Sequence, residues 1–265
     1  MAVDFSVLDG YSLQKKSDLT ALANVIRAKT GITDKLTVLD MAREVNLIEV
    51  GGGETVEIIT YLNFAKIDGG YEITGLNDTT VTDIIIPSKC NGEPVIRIGD
   101  NAFGTWDYIS GGGDITSVII LDGVTNIGNY AFGNCYSLTT VVFIGNSITD
   151  IGEGAFMGCP ISGDLILPDS VTFIGNYAFQ EIGATSVVIP ENVSYIGNGV
   201  FLGCPNLKTV TFKGTPTTIN PNELLEGTFA YCPNLTDIYV PWSEGEVDGA
   251  PWGAENATIH YNSEV

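Results

Sequence analysis

Basic side chains are scarce in this chain and unevenly placed. There are 11 Lys and Arg against 32 Asp and Glu, a net charge of -21. Residues 1–50 hold 6 of the basic and 7 of the acidic groups, whereas residues 51–265 hold 5 against 25, a net of -20. Such a field repels phosphate backbones and anionic membranes, so nucleic acid is not an expected partner. Apolar runs are short. None approaches the ~18–20 residues of a membrane span, so insertion into a bilayer is not expected either. The start, Met1-Ala2-Val3-Asp4-Phe5-Ser6, lacks the basic and apolar regions of a secretion signal. It implies a signal already removed or another route out of the cell, for example inside a virion.

Catalytic chemistry is equally thin. His260 is the only histidine, and a catalytic one needs an orienting partner and a nucleophile. After Ala257-Thr258-Ile259 it reads as a residue of a terminal cap. Nothing in the spacing of the acids selects a working carboxylate pair. The glycine-rich stretches lack the Lys-Ser/Thr of a phosphate loop. Five cysteines include no CxxC pair, which argues against a metal cluster. Glu244, Glu246 and Asp248 alternate in a loop and offer oxygens to calcium, but outside the helix-loop-helix pattern. The expectation is a protein without catalytic residues, cofactor or metal.

What the sequence does have is repetition. Ile-Gly-x-x-Ala-Phe, or a one-residue variant, starts at Ile98, Ile127, Ile151, Ile174 and Ile196, with a degenerate copy at Gly227-Thr228-Phe229. Its phenylalanines, Phe103, Phe132, Phe156, Phe179, Phe201 and Phe229, stand 29, 24, 23, 22 and 28 residues apart. A period in that range signals stacked units, none able to bury its apolar face alone. Apolar strands ending in proline recur before, between and after the motifs, at Ile84–Pro87, Leu165–Pro168, Val187–Pro190 and Ile238–Pro241; proline removes a ladder donor and stops the strand. The Gly after each Ile permits a tight turn. Inserts at Gly104–Asp114 and Thr215–Leu225 account for the two longest spacings.

The fold expected is mostly β: a solenoid of the leucine-rich-repeat type with about six coils, preceded by a small α-helical hairpin. Ser17 caps the first helix, with Leu19, Leu22, Val25 and Ile26 at helical spacing and Gly31 ending it. Met41, Val45 and Ile48 mark the second. Residues 1–50 therefore read as a docking or oligomerisation module, 51–54 as a glycine linker, and 55–97 as a β N-terminal cap with the first strand. Residues 98–241 are the repeats and 242–265 a C-terminal cap. Within the N-terminal cap, Asp68-Gly69-Gly70 signals a hairpin.

The Ile-Gly-x-x-Ala-Phe turns and Ile-Pro strand ends resemble the BspA-like leucine-rich repeat family over roughly residues 55–241. That resemblance implies a curved β-rich solenoid used in bacterial surface and secreted proteins for adhesion. The stretch Ser17–Gly31 resembles N-terminal segments of tail and virion proteins from phages and prophages of Gram-positive hosts, and Val240–Ala254 is similar to terminal caps in the same phages. Together they imply a virion- or tail-associated protein that docks through residues 1–50, to other tail proteins or to itself, and displays the solenoid to a host-surface glycan or protein. The alternative is a bacterial cell-surface or secreted adhesin of the same repeat class.

Candidate contact residues come from the registers. Trp106 and Tyr108 lie in the first insert, and Tyr130 and Tyr177 share one repeat position; aromatics dominate binding hot spots. Each has a structural reading beside the functional one, as turn residues for the tyrosines and as core for Trp106. Trp106 falls three residues after its Phe, as do Cys135, Cys159, Cys204, Cys232 and Ile182. That column reads as buried and apolar, its thiols free, with Cys135–Cys159 or Cys204–Cys232 able to bridge if oxidised.

Overall fold

A computed structural model of the chain describes residues 61–107, 113–219 and 227–263. The expected helical hairpin, the glycine linker, Tyr108 and most of the second insert lie outside them.

Numbered in chain order, β1 (Leu62–Ile67) and β2 (Gly70–Leu76) form an antiparallel hairpin. Its turn passes through Gly69 at φ 88. Two series of strands then alternate. The longer series is β3 (Asp83–Ile86), β6 (Ser117–Ile120), β8 (Thr140–Phe143), β10 (Gly163–Ile166), β12 (Ala184–Ile189), β14 (Thr209–Phe212), β16 (Asp237–Tyr239) and β17 (Thr258–His260). The shorter series holds the five Ile-Gly motifs in β5 (Glu93–Ile98, joined by β4, Lys89–Cys90), β7 (Asn126–Ile127), β9 (Asp150–Ile151), β11 (Phe173–Ile174) and β13 (Tyr195–Ile196), and ends in β15 (Thr218–Ile219), which lacks the glycine. Pro87 and Pro190 stand directly after β3 and β12, where a missing donor ends the ladder.

Each strand pairs in parallel with its counterpart one repeat away. The longer strands make two sheets, β3-β6-β8 and β10-β12-β14-β16-β17; the shorter ones extend from the hairpin as β2-β5-β7-β9-β11-β13-β15. Two expectations need correction. The three and five longer strands mark about eight turns, not six, because β16 and β17 stack as two further rungs after the last motif phenylalanine, Phe229. No helix occurs among the described residues, so the preceding α-helical hairpin is not seen.

Between the sheets lies one continuous core. Successive rings of Phe103, Phe132, Phe156, Phe179, Phe201 and Phe229 stack with centroids 5.0, 5.1, 5.4, 5.5 and 5.8 Å apart. Rung spacing imposes this, since paired strands sit ~4.8 Å apart. At the C-terminal end Trp242 and Trp252 pack against Phe212 and close the stack.

The motif glycine has a different cause from the one expected. Gly128, Gly152, Gly175 and Gly197 have no positive φ. A Cβ on them would stand 2.5, 2.8, 2.6 and 2.6 Å from the preceding rung. Close approach between rungs, not turn conformation, requires them. The left-handed position lies two residues later, at Asn101, Tyr130, Gly154, Tyr177 and Gly199.

Candidate interaction surface

The two tyrosines of the shared register prove to be packing residues. The Tyr130 ring lies over Gly154 and the Tyr177 ring over Gly199, where an added Cβ would meet ring carbons at 2.3 and 2.6 Å. Tyrosine and glycine alternate along this register because each ring occupies the space above the next rung. Tyr130 also donates its hydroxyl to Glu153 Oε1 at 2.5 Å. The asparagines beside them act likewise. Asn129 Oδ1 accepts from Glu153 N at 2.8 Å, and Asn176 Oδ1 from Asn198 N at 2.9 Å. These bonds join one rung to the next, and the ladder ends at Asn198, whose buried Oδ1 has no hydrogen-bond partner.

Trp106 is placed differently from the buried column. It is 68% exposed, while Ile182 and the four cysteines in that register are buried. The insert explains the shift. In the next two rungs the cysteine backbone N–H donates to the motif Phe carbonyl, Cys135 to Phe132 at 3.1 Å and Cys159 to Phe156 at 3.2 Å. In the first rung Gly113, at the far end of the insert, donates to Phe103 O at 3.1 Å instead. Gly113 therefore holds the register position that counting assigns to Trp106, and the indole is left outside.

Nearby stands Tyr136, 50% exposed. Its ring reaches over the following rung, 3.4 Å from where a Cβ of Gly158 would be. Its phenol pKa is raised, first by partial desolvation and then by the carboxylates of Glu181 and Asp107. Asn134 Nδ2 donates to Thr105 O at 2.9 Å, so the segments that carry the exposed Trp106 and Tyr136 adjoin on one side of the stack.

A second aromatic feature lies on the shorter-strand sheet. Phe173 and Tyr195 pair across β11 and β13 with ring centroids 4.8 Å apart. They hold the position preceding each motif Ile, which is Asn126, Asp150 and Thr218 in other rungs. Sequence reading missed Tyr136, Phe173 and Tyr195; aligning the repeats one residue further toward the N-terminus would have revealed the pair.

Cations do little to offset the acidic surface. Lys66 pairs with Glu93, Arg97 with Glu72 at 3.2 Å and Asp100 at 2.6 Å, and Lys213 with Asp169 at 3.6 Å. His260 lies in the last rung, stacked on Tyr239 at 4.4 Å with Nε2 2.7 Å from Asp237 Oδ1. The Asp237 carboxyl is held below its ordinary range, by Thr236 first and His260 second. Glu246 accepts from Ser243 N at 2.9 Å and belongs to a local turn. Among the described residues no cluster of His, Cys, Asp and Glu is arranged to hold a metal ion. No helix there is long and apolar enough to cross a membrane.

The cysteines are free. Cys135, Cys159, Cys204 and Cys232 donate their thiols to the carbonyls of Phe103, Phe132, Phe179 and Phe201 at 3.4, 3.0, 3.4 and 3.1 Å. Each bond joins one rung to the preceding one. Burial pushes the Cys135 thiol up to about 12 and raises those of Cys159 and Cys204 as well.

Parallel rungs, a stacked aromatic core and outward side chains that vary from rung to rung define a leucine-rich-repeat solenoid. The chain belongs to the BspA type leucine rich repeat family, whose model matches six copies over residues 97–236, more than half of the 265 residues. Among solved structures it is similar to a leucine rich repeat protein of T. pallidum, with 26% identity, 68% of this chain and 79% of that one covered, and a TM-score of 0.58. It is also similar to a leucine-rich repeat protein of Bacteroides ovatus, with 28% identity, 69% of this chain covered and a TM-score of 0.55. It covers 47% of that second protein, about half its length. Comparison with curated proteins gives no match.

Proposed function

We propose that the protein is a non-catalytic binding protein, displayed on a bacterial cell surface or secreted, that attaches to a glycan or protein of the surface it meets. The observation that carries this reading is the exposure of Trp106 beside Tyr136, flanked by Asp107 and Glu181. Large aromatics left in water on a well-packed scaffold are the residue type that dominates binding hot spots. The acids favour a partner that is basic or bridged by cations. Repeat-to-repeat ladders hold the backbone beneath, so contacts form on a rigid support. The virion- or tail-associated role implied by the flanks draws no support from the matched family or from the two solved structures, and the surface adhesin is preferred.

The test compares the intact chain with Trp106→Ala/Tyr136→Ala on a glycan array and on a panel of immobilised extracellular matrix proteins. Both side chains are exposed, so the fold should persist; circular dichroism checks this. A specific signal that falls tenfold or more in the variant supports the reading, and one that weakens with added salt identifies the acids as contributors. Binding unaltered by the double change removes this patch from the interface.

A further inference from the structure

The first of the longer sheets has a second apolar cluster, on the face turned away from the phenylalanine stack. Alternation along β6 sends Val118 and Ile120 into the main core and Ile119 to the opposite side. Ile119 pairs in register with Ile85 of β3 and Val142 of β8, with Leu121 and Ile144 packed alongside. A side chain on an open sheet face keeps its tip in water. Ile119 is 0% exposed and Val142 6%, and β6 is buried along its whole length.

The sequence of the strands agrees. Strands covered on both faces read as continuous apolar runs, and strands open on one face alternate. Ile84-Ile85-Ile86, Val118-Ile119-Ile120-Leu121 and Val141-Val142-Phe143-Ile144 are continuous. Thr209-Val210-Thr211-Phe212 and Asp237-Ile238-Tyr239, further along the same solenoid, alternate. The N-terminal rungs are therefore built to be covered on the outside; Leu165-Ile166-Leu167 and Val187-Val188-Ile189 of the middle rungs are continuous too, but their outward Ile166 and Val188 are only half-buried, and the last rungs alternate.

We propose that residues 17–48 of the same chain cover this face. Their position is the first reason. Ile85 N donates to the Tyr61 hydroxyl at 3.1 Å, so the described chain begins at the edge of the cluster. Residues 49–60, extended, reach at most about 40 Å, ample for a patch three rungs wide. Composition is the second. Leu22, Val25, Ile26 and Val45 supply apolar side chains in a segment that carries much of the basic charge of the chain. Charge is the third. Residues 1–50 are near neutral and meet a repeat region of net -20, whereas a second copy would bring another region of -20 against it.

The experiment places a photo-crosslinker at the rim of the cluster in the full chain, as Ile85→p-benzoylphenylalanine and separately as Leu121→p-benzoylphenylalanine. Both side chains are half-buried, and thermal melting confirms that each variant is folded. Irradiated protein is digested and its crosslinked peptides identified, using an equal mixture of isotopically light and heavy chains. The result expected is light–light and heavy–heavy crosslinks to residues 17–48. Adding Leu22→Asp with Val25→Asp should lower their yield at least tenfold while the repeats still melt cooperatively. Light–heavy crosslinks would place a second copy on the face and overturn the proposal. Crosslinks only to other segments, none at all, or a yield unchanged by the two aspartates would overturn it as well.

Discussion

A thiol that donates to a backbone carbonyl inside a closed core has two reasons to stay protonated. Ionisation would place a charge in an apolar medium and break the bond, so the Cys135 pKa moves from 9.0 to about 12. Only thiolate attacks a disulfide reagent. At pH 8 a thiol reagent should therefore modify Cys90, which is half-buried, well before Cys135, Cys159 and Cys204. Modification of those three should require denaturant, whereas the Cys232 thiol is lowered by its hydrogen bond from Cys204 and is shielded by burial alone; mass spectrometry of the partly labelled protein reads the order directly. The same shift gives a pH dependence. Below about 9 the thiol is protonated whether the chain is folded or not, and Cys135 contributes no slope. As pH rises from 9 to about 12 the unfolded thiol ionises and the folded one does not, so stability is lost through that window. Urea midpoints measured at pH 8 and pH 10.5 should fall accordingly, with the Cys135→Ala variant losing less.

At the scale of the rung, the contact between one motif glycine and the preceding motif is a close joint that recurs along the stack. Replacing Gly152 by Ala would put a methyl group 2.8 Å from the Asn129 backbone nitrogen, and overpacking of that kind costs about 1–3 kcal/mol. Alanine at Gly163, which has open space about it but a φ of 81, should cost less, about 1 kcal/mol. Equilibrium denaturation of the two variants separates close approach from backbone conformation. Much of this element was legible in the repeat. The five motifs located the shorter strands, and their shared register placed the phenylalanines on a single column. What counting missed had local physical causes. Trp106 fell out of the column because an insert let Gly113 take its place. The count of turns fell short because β16 and β17 continue the stack past the last motif phenylalanine. The tyrosine–glycine alternation was visible in the sequence, yet its meaning needed the ring of one rung to be seen lying on the backbone of the next.

For the whole molecule, the direction of the joints decides how it bears load. The backbone bonds between sheet neighbours, the thiol–carbonyl bonds and the asparagine ladders all run from rung to rung, along the line that joins the two ends of the stack. Tension applied at the ends does not shear a whole sheet at once; it opens the outermost seam, then the next. Each rung of about 23 residues would release roughly 80 Å of chain as it peels away. Pulled in an atomic force microscope, the repeats should lengthen in low, regular steps of that size instead of a single high-force rupture. A tether of this kind yields progressively under drag, so a surface held through it would be slowed before it is let go.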